Sequence, residues 1–273
     1  MAETTKIEWT DSTVNFWWGC TKIGPGCDHC YAEAWAQRFD ESLWGQGVPR
    51  RKVKSAMPTL AKLQASADRF QTRHGRRQRV FLQSMSDLFD KEVPDAWFAE
   101  AWTGITLASR LEVQIVTKRV SFVEKRLAGL PEAARTWPQH AGLIISVVNQ
   151  EEADRDIPRL LDLKTRHGIQ WVGLSIEPLL GKVVLRPEWL SLLDWVIVGG
   201  ESGPNARPMH PDWVISLRDQ CAAAGVPFLF KQWGEYLPVH VDTVRHTGIE
   251  FRKVGKKAAG RRLHGQEHNG FPQ

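Results

Sequence analysis

The sequence predicts an α/β fold, a partial (β/α) barrel of the TIM type with six to seven parallel strands and a basic C-terminal extension. Three observations predict it. Seven short apolar runs, at residues 14–18, 79–83, 112–116, 142–147, 170–176, 195–198 and 227–230, are nearly continuous in Val, Ile, Leu, Phe and Trp, as strands buried on both faces of a parallel sheet are. Helical patterns alternate with them over some 220 residues, the signature of βα units. Each apolar run also ends in hydroxyl, amide, carboxylate or cationic residues. In a barrel such ends converge on the face that carries the active site.

The elements follow in order. The run at 14–18 leads into Gly19-Cys20, and a helix is expected over 31–43 after the cysteine loop. The strand at 79–83 gives way to Ser84-Met85-Ser86-Asp87, and Pro94-Asp95 opens a helix over 95–109. Strand 112–116 ends in Thr117-Lys118-Arg119; strand 142–147 holds Ser146 and continues to Asn149-Gln150. A helix over 151–167 stops at Gly168, and strand 170–176 runs into Ser175-Ile176-Glu177-Pro178. The last two strands end in Gly199-Gly200-Glu201-Ser202-Gly203 and in Lys231-Gln232-Trp233-Gly234. Between them Pro211 starts a helix that Gly225 ends. No Gly-, Ser- or Pro-rich linker and no fixed-period repeat interrupts the pattern. The expected organisation is a barrel over residues 1–240 with a basic extension over 241–273 packed on or beside it.

Composition narrows the classes. The chain has 273 residues, 42% apolar and 25% charged, as a soluble globular protein has. No apolar run reaches the roughly 18–20 residues that span a bilayer, and the N-terminus lacks an apolar signal segment. The expectation is a cytoplasmic protein with no membrane partner. The net charge is +5, and the tail from Arg245 onward carries an excess of the same size. Further basic clusters occupy residues 50–54 and 69–79. Beside aromatics, such clusters can hold phosphates and stack bases; alternatively they form a solvated face. Tryptophan is abundant, with 13 residues. Trp17, Trp18 and Trp233 fall near the strand ends, and the others read as packing.

Three of the four cysteines lie close together, as Cys20-x6-Cys27-x2-Cys30. In a reducing compartment, in a chain large enough to build a core, a disulfide framework is disfavoured and metal ligation is favoured. Closed structural zinc sites take a fourth protein ligand, whereas a 4Fe–4S cluster on three thiolates keeps one iron open for chemistry. Cys221 stands at helical spacing with Val214 and Leu217 and reads as a small core hydrophobe. Within the loop His29 can ligate a metal, cover a cofactor ring or face solvent. Among the strand-end residues, Glu201 can accept from an ammonium or a ribose hydroxyl. Lys231 suits a phosphate, a carboxylate or a paired Glu, and Trp233 either stacks on a ring or plugs the barrel mouth. The glycines at 199 and 200 would let a backbone approach a ligand closely.

On Cys20, Cys27 and Cys30, following a first strand and closing in C-x2-C, the sequence resembles the radical S-adenosylmethionine (SAM) superfamily. The first spacing is six residues rather than the usual three, and the usual glycine-rich motif after the second strand is missing. The resemblance implies a 4Fe–4S cluster on the three cysteines, SAM on its open iron, an external one-electron reductant and a 5′-deoxyadenosyl radical. It places the methionine end of SAM on Ser84, Ser86 and Asp87, and Lys118, Ser146, Asn149, Ser175 and Glu177 around the ribose and substrate region. Glu201 and Lys231 become the catalytic pair, with Ser202, Arg207, Gln232 and Trp233 binding substrate. Ile7-Glu8-Trp9-Thr10-Asp11, Ser84 to Phe89, Thr117-Lys118-Arg119, Glu177-Pro178-Leu179-Leu180-Gly181 and the two glycine-bearing strand ends look like a phage-borne three-cysteine family. Similar phage enzymes include an isomerase that rearranges glycyl-modified thymidine in DNA. The resemblance thus implies modified DNA or a nucleotide as substrate, in a bacterial host. Two other readings remain open at this point: a zinc-stabilised nucleic-acid-binding protein without catalysis, and a Mg²⁺-dependent phosphoryl-transfer enzyme using Asp87, Glu177 and Glu201.

Overall fold

The computed structural model describes residues 4–39, 42–242 and 247–272; Arg245 and His246, counted above with the basic tail, lie outside them. Eleven strands are described: β1 Ser12–Thr13, β2 Trp17–Trp18, β3 Arg51–Lys52, β4 Arg79–Leu82, β5 Glu112–Thr117, β6 Ala141–Ser146, β7 Val172–Ile176, β8 Trp195–Gly199, β9 Phe228–Gln232, β10 Tyr236–Asp242 and β11 Thr247–Lys253. The helices are α1 Tyr31–Gln37, α2 Ala56–His74, α3 Asp95–Leu107, α4 Val123–Ala128, α5 Gln150–His167, α6 Pro187–Leu190, α7 Pro211–Ala224 and α8 Lys256–Ala259. A seven-stranded sheet runs in the order β1-β4-β5-β6-β7-β8-β9. This is the α/β partial barrel expected from the sequence, with seven strands. No described helix is long and apolar enough to cross a membrane.

The chain divides into two compact units. The first comprises Met1–Ile23, Ala32–Ile145 and Arg159–Val172; the second comprises Gly24–Tyr31, Ser146–Pro158 and Gly173–Gln273. In the first, β1 pairs with β4, β4 with β5 and β5 with β6, all parallel. Its core gathers Leu82, Val113, Ile115 and Leu143 under Phe98, Trp102 and Trp137. Trp102 and Trp137 meet edge to face at 5.2 Å, and their indole N–H groups donate to the carbonyls of Ala134 and Ala141. Both indoles are therefore buried without an orphaned donor, the packing role expected of most of the tryptophans.

In the second unit β7 pairs with β8 and β8 with β9. Every residue of β8 is buried, which is why it reads as a continuous apolar run. Helix α7 lays Val214, Leu217 and Cys221 into the core. Cys221 is wholly buried and burial pushes its thiol up to about 12, so it behaves as the hydrophobe its spacing suggested.

Three expectations need correction. The run at 14–18 is not one strand: β1 ends at Thr13, and Trp17–Trp18 forms an antiparallel pair with β3. The helix expected over 31–43 ends at Gln37, and that over 95–109 ends at Leu107. Residues 69–79 span the end of α2 and the start of β4, with Arg69, Arg73 and Arg77 exposed. Ala56, Leu60, Leu63 and Ala67 bury one face of α2, and Gly75 ends it in the left-handed region at φ 69°. In the C-terminal part of the chain, β10 and β11 form an antiparallel hairpin. The last residues then return to β9, where Phe230 N donates to His268 O and Gly270 N to Phe228 O. The segment covers a sheet edge that would otherwise present unpaired backbone groups.

The same ion pairing sets acid sensitivity. The Arg76 guanidinium donates to both Asp11 oxygens at 2.7 and 2.8 Å, and Arg79 N donates to the same carboxylate at 2.8 Å. Burial would raise the Asp11 pKa, but these donors win and hold it below its ordinary 3.8. A depressed carboxylate stabilises the fold above its unfolded pKa, and the contribution disappears as pH falls through the folded value. Asp11→Asn should flatten the acid branch of a urea-midpoint profile taken from pH 5 downward. An unchanged branch would remove Asp11 from this role.

Candidate functional site

Within the first unit, the polar residues after β4 and β5 hold one another. Gln83 Oε1 accepts from Phe16 N at 2.6 Å, and Asn15 Oδ1 accepts from Met85 N at 2.8 Å. Ser84 Oγ accepts from the Asn15 amide at 3.1 Å, and Ser86 Oγ donates to Trp17 O at 2.8 Å. Asp87 accepts from Thr117 Oγ1 at 2.8 and 2.9 Å, from Lys118 N at 3.0 Å and from Phe89 N at 2.9 Å. Ser84, Ser86, Asp87 and the Lys118 backbone thus come together, as the sequence predicted, but they are occupied by protein donors and acceptors.

Beside them lies a buried charge cluster that sequence reasoning did not single out. Arg50 and Asp90 have no solvent-exposed side-chain surface and pair at 2.8 Å. Arg50 Nη2 donates to Thr21 Oγ1 at 2.7 Å, and Arg119 Nη2 donates to Thr21 O at 2.7 Å. Arg119 Nη1 lies 3.4 Å from both Cys20 Sγ and Asp87 Oδ2. Burial alone would lower the Arg119 pKa, but Asp87, Cys20 and Asp90 hold it raised. A permanently cationic guanidinium therefore stands against the Cys20 sulfur, which favours the thiolate. Arg50 is consequently spent in the interior rather than offered to a phosphate.

The second unit holds the remaining predicted residues. Lys231 Nζ donates to Glu177 Oε1 at 2.6 Å, at the ends of β9 and β7. The Gln232 amide donates to Gly200 O at 3.1 Å and to Ser202 Oγ at 2.8 Å. Ser146 and Ser175 are buried on β6 and β7. Asn149 Oδ1 accepts from Glu152 N at 2.9 Å and caps α5, and Glu152 Oε2 accepts from Val148 N at 3.1 Å. Glu201 is buried and fully engaged: Arg207 Nη2 reaches Oε1 at 2.6 Å, Arg207 Nε reaches Oε2 at 2.8 Å, and His29 Nδ1 lies 3.1 Å from Oε2. Burial would raise the Glu201 pKa; the Arg207 side chain and backbone, then His29, hold it lowered. Arg207 also donates to Asp28 Oδ2 at 3.2 Å and Pro25 O at 2.8 Å. This fork ties the turn that carries Cys27 to Glu201, a link no spacing in the sequence signals. Trp233 is buried, packs edge to face on Phe230 at 5.0 Å and donates to Arg262 O at 2.9 Å.

The glycines serve the backbone. A Cβ on Gly200 would lie 1.9 Å from Trp233 O, and one on Gly234, at φ 86°, would lie 2.1 Å from Glu201 O. The two strand-end motifs press their main chains together, so Gly200 admits Trp233 rather than a ligand.

The cysteines divide between the units, Cys20 in the first and Cys27 and Cys30 in the second. All three are partly exposed thiols outside any disulfide. Among the described residues no three His, Cys, Asp or Glu side chains are gathered to hold a metal ion.

A family model described as "Protein of unknown function (DUF5131)" matches residues 4–272. The chain belongs to this family. No curated protein matches this DUF5131 member. Among solved structures, a spore photoproduct lyase complexed with dinucleoside spore photoproduct is similar, with a TM-score of 0.42 and 12% identity, over 87% of this chain and 67% of that one.

Proposed function

We propose that this chain is a radical SAM enzyme that modifies a nucleobase, with a thymidine–glycine adduct in DNA as the substrate we favour. The observation that carries the reading is the set of three partly exposed cysteines outside any disulfide in one loop, Cys20, Cys27 and Cys30. The donor set suits a 4Fe–4S cluster in chemistry. Arg119 stabilises charge on Cys20, and Cys221, buried with its thiol pushed up to about 12, is no fourth ligand. Cys20, Cys27 and Cys30 would hold such a cluster, which with SAM and an external one-electron reductant would supply hydrogen-atom abstraction. The chain's own residues do the rest. Arg207 and Glu201 fix the turn before Cys27, and Arg119 fixes the backbone after Cys20. Lys231 and Gln232 offer a cation and an amide for a substrate carboxylate or phosphate that displaces Glu177 from Lys231.

Anaerobic reconstitution with iron and sulfide is expected to give about four iron atoms per chain. Adding SAM and a reductant should release 5′-deoxyadenosine. Each of Cys20→Ala, Cys27→Ala and Cys30→Ala should abolish release and deplete iron while circular dichroism stays native. A colourless protein holding one zinc and releasing no deoxyadenosine would overturn the reading.

A further inference from the structure

The first unit contains a second candidate site. A cleft of about 370 Å³ is lined by Phe16, Trp17, Lys52, Lys54, Met57 and Trp97, with Glu100 on its rim. This volume falls in the range of small-molecule sites, roughly 300–1,000 Å³. Its walls are aromatic and its rim mostly cationic. Trp17 is fully buried, and its indole N–H has no acceptor among the described residues. Lys52 lies 5.8 Å from the Trp97 ring centroid and pairs with Glu100. That pair is 38% and 44% exposed, so it is worth little and a phosphate can replace Glu100. Next to Lys52, Arg51 stacks on Trp18 at 4.3 Å. Helix α2 begins at Ala56 on the cleft wall, and its positive end adds to the attraction for an anion.

We infer that this cleft takes a base and its adjoining phosphate from a single-stranded nucleic-acid segment. The base stacks on Trp97, while Lys52 and Lys54 meet the phosphates. Aromatic platforms flanked by cations bind single strands in this way with little sequence preference. The cleft is a docking site for the strand and does not depend on the cluster chemistry proposed above.

Fluorescence anisotropy of a labelled thymidine oligonucleotide on the full-length chain, without reconstitution, tests it. An abasic strand of equal length should bind about 10-fold more weakly than the base-bearing one. Trp97→Ala should erase that difference, and Trp97→Phe should retain it. The variant Lys54→Glu, at an exposed position, should weaken both strands alike. It should also lower the salt slope by about 0.7 for the phosphate contact it removes. Equal binding of abasic and base-bearing strands by the wild-type chain would overturn the inference, whether or not Trp97→Ala folds. Full displacement by thymidine monophosphate at concentrations where the strand itself binds would overturn it too, by making the cleft a free-nucleotide site.

Discussion

Arg50→Ala is expected to destabilise the fold by about 3–5 kcal/mol, the range found when one partner of a buried ion pair is removed. Arg50 and Asp90 are both sealed from solvent. The guanidinium also donates from Nη1 to the carbonyls of Leu43, Gly45 and Val48, at 3.2, 3.1 and 2.8 Å. Truncation leaves the buried Asp90 carboxylate with Arg119 only at 3.9 Å, and removes a donor from three carbonyls and from Thr21 Oγ1. Arg50→Lys keeps the charge but not the fan of five donors, so its loss should be smaller. Urea unfolding at neutral pH measures both variants. A drop below about 1 kcal/mol for the alanine variant, with an unchanged slope, would show that water solvates this site despite its burial.

Gly200→Ala should cost at least as much as ordinary overpacking, about 1–3 kcal/mol and more where backbone cannot yield. The added methyl would meet the Trp233 carbonyl at 1.9 Å and its carbon at 2.6 Å, main-chain atoms of the segment that follows β9. Relief requires parting the ends of β8 and β9, which carry Glu201, Ser202, Lys231 and Gln232. The variant should therefore lose both midpoint stability and any activity dependent on Lys231. Ala at Gly203, where a Cβ meets open space but φ is 113°, should cost about 1 kcal/mol through backbone strain alone. Equal losses at the two positions would discount the close approach.

How far the sequence reached depended on how local each signal was. The strands 79–82, 141–146, 172–176 and 195–199 were legible because burial on both faces writes itself as an unbroken apolar run. Helix α7 was legible from Pro211 and Gly225 at its ends. Helix α2 was legible in principle, with Ser55 before it, apolar residues at 56, 60, 63 and 67 and Gly75 after it. The arginines at its C-terminal end drew attention as a charge run, and the stripe beneath them was missed. The hairpin of β10 and β11 gave no alternating apolar pattern and was read only as a basic extension.

At the site, the sequence supplied the inventory: three thiols in one loop, and Ser84, Ser86, Asp87, Glu177, Glu201, Lys231 and Gln232 at strand ends. It determined the fold class and the chemistry available, because periodicity and ligand spacing are local properties of the chain. Only the tertiary structure decided how those groups are used. Glu177 on Lys231, Glu201 in the fork of Arg207 and Arg119 against Cys20 are pairings between residues 54, 6 and 99 positions apart. An ion pair is fixed by where the backbone brings two charges and how much water it leaves between them. No residue's identity carries that information, so the nine arginines and lysines of the clusters at 50–54 and 69–79 could read as a phosphate patch while Arg50 among them folds into the interior.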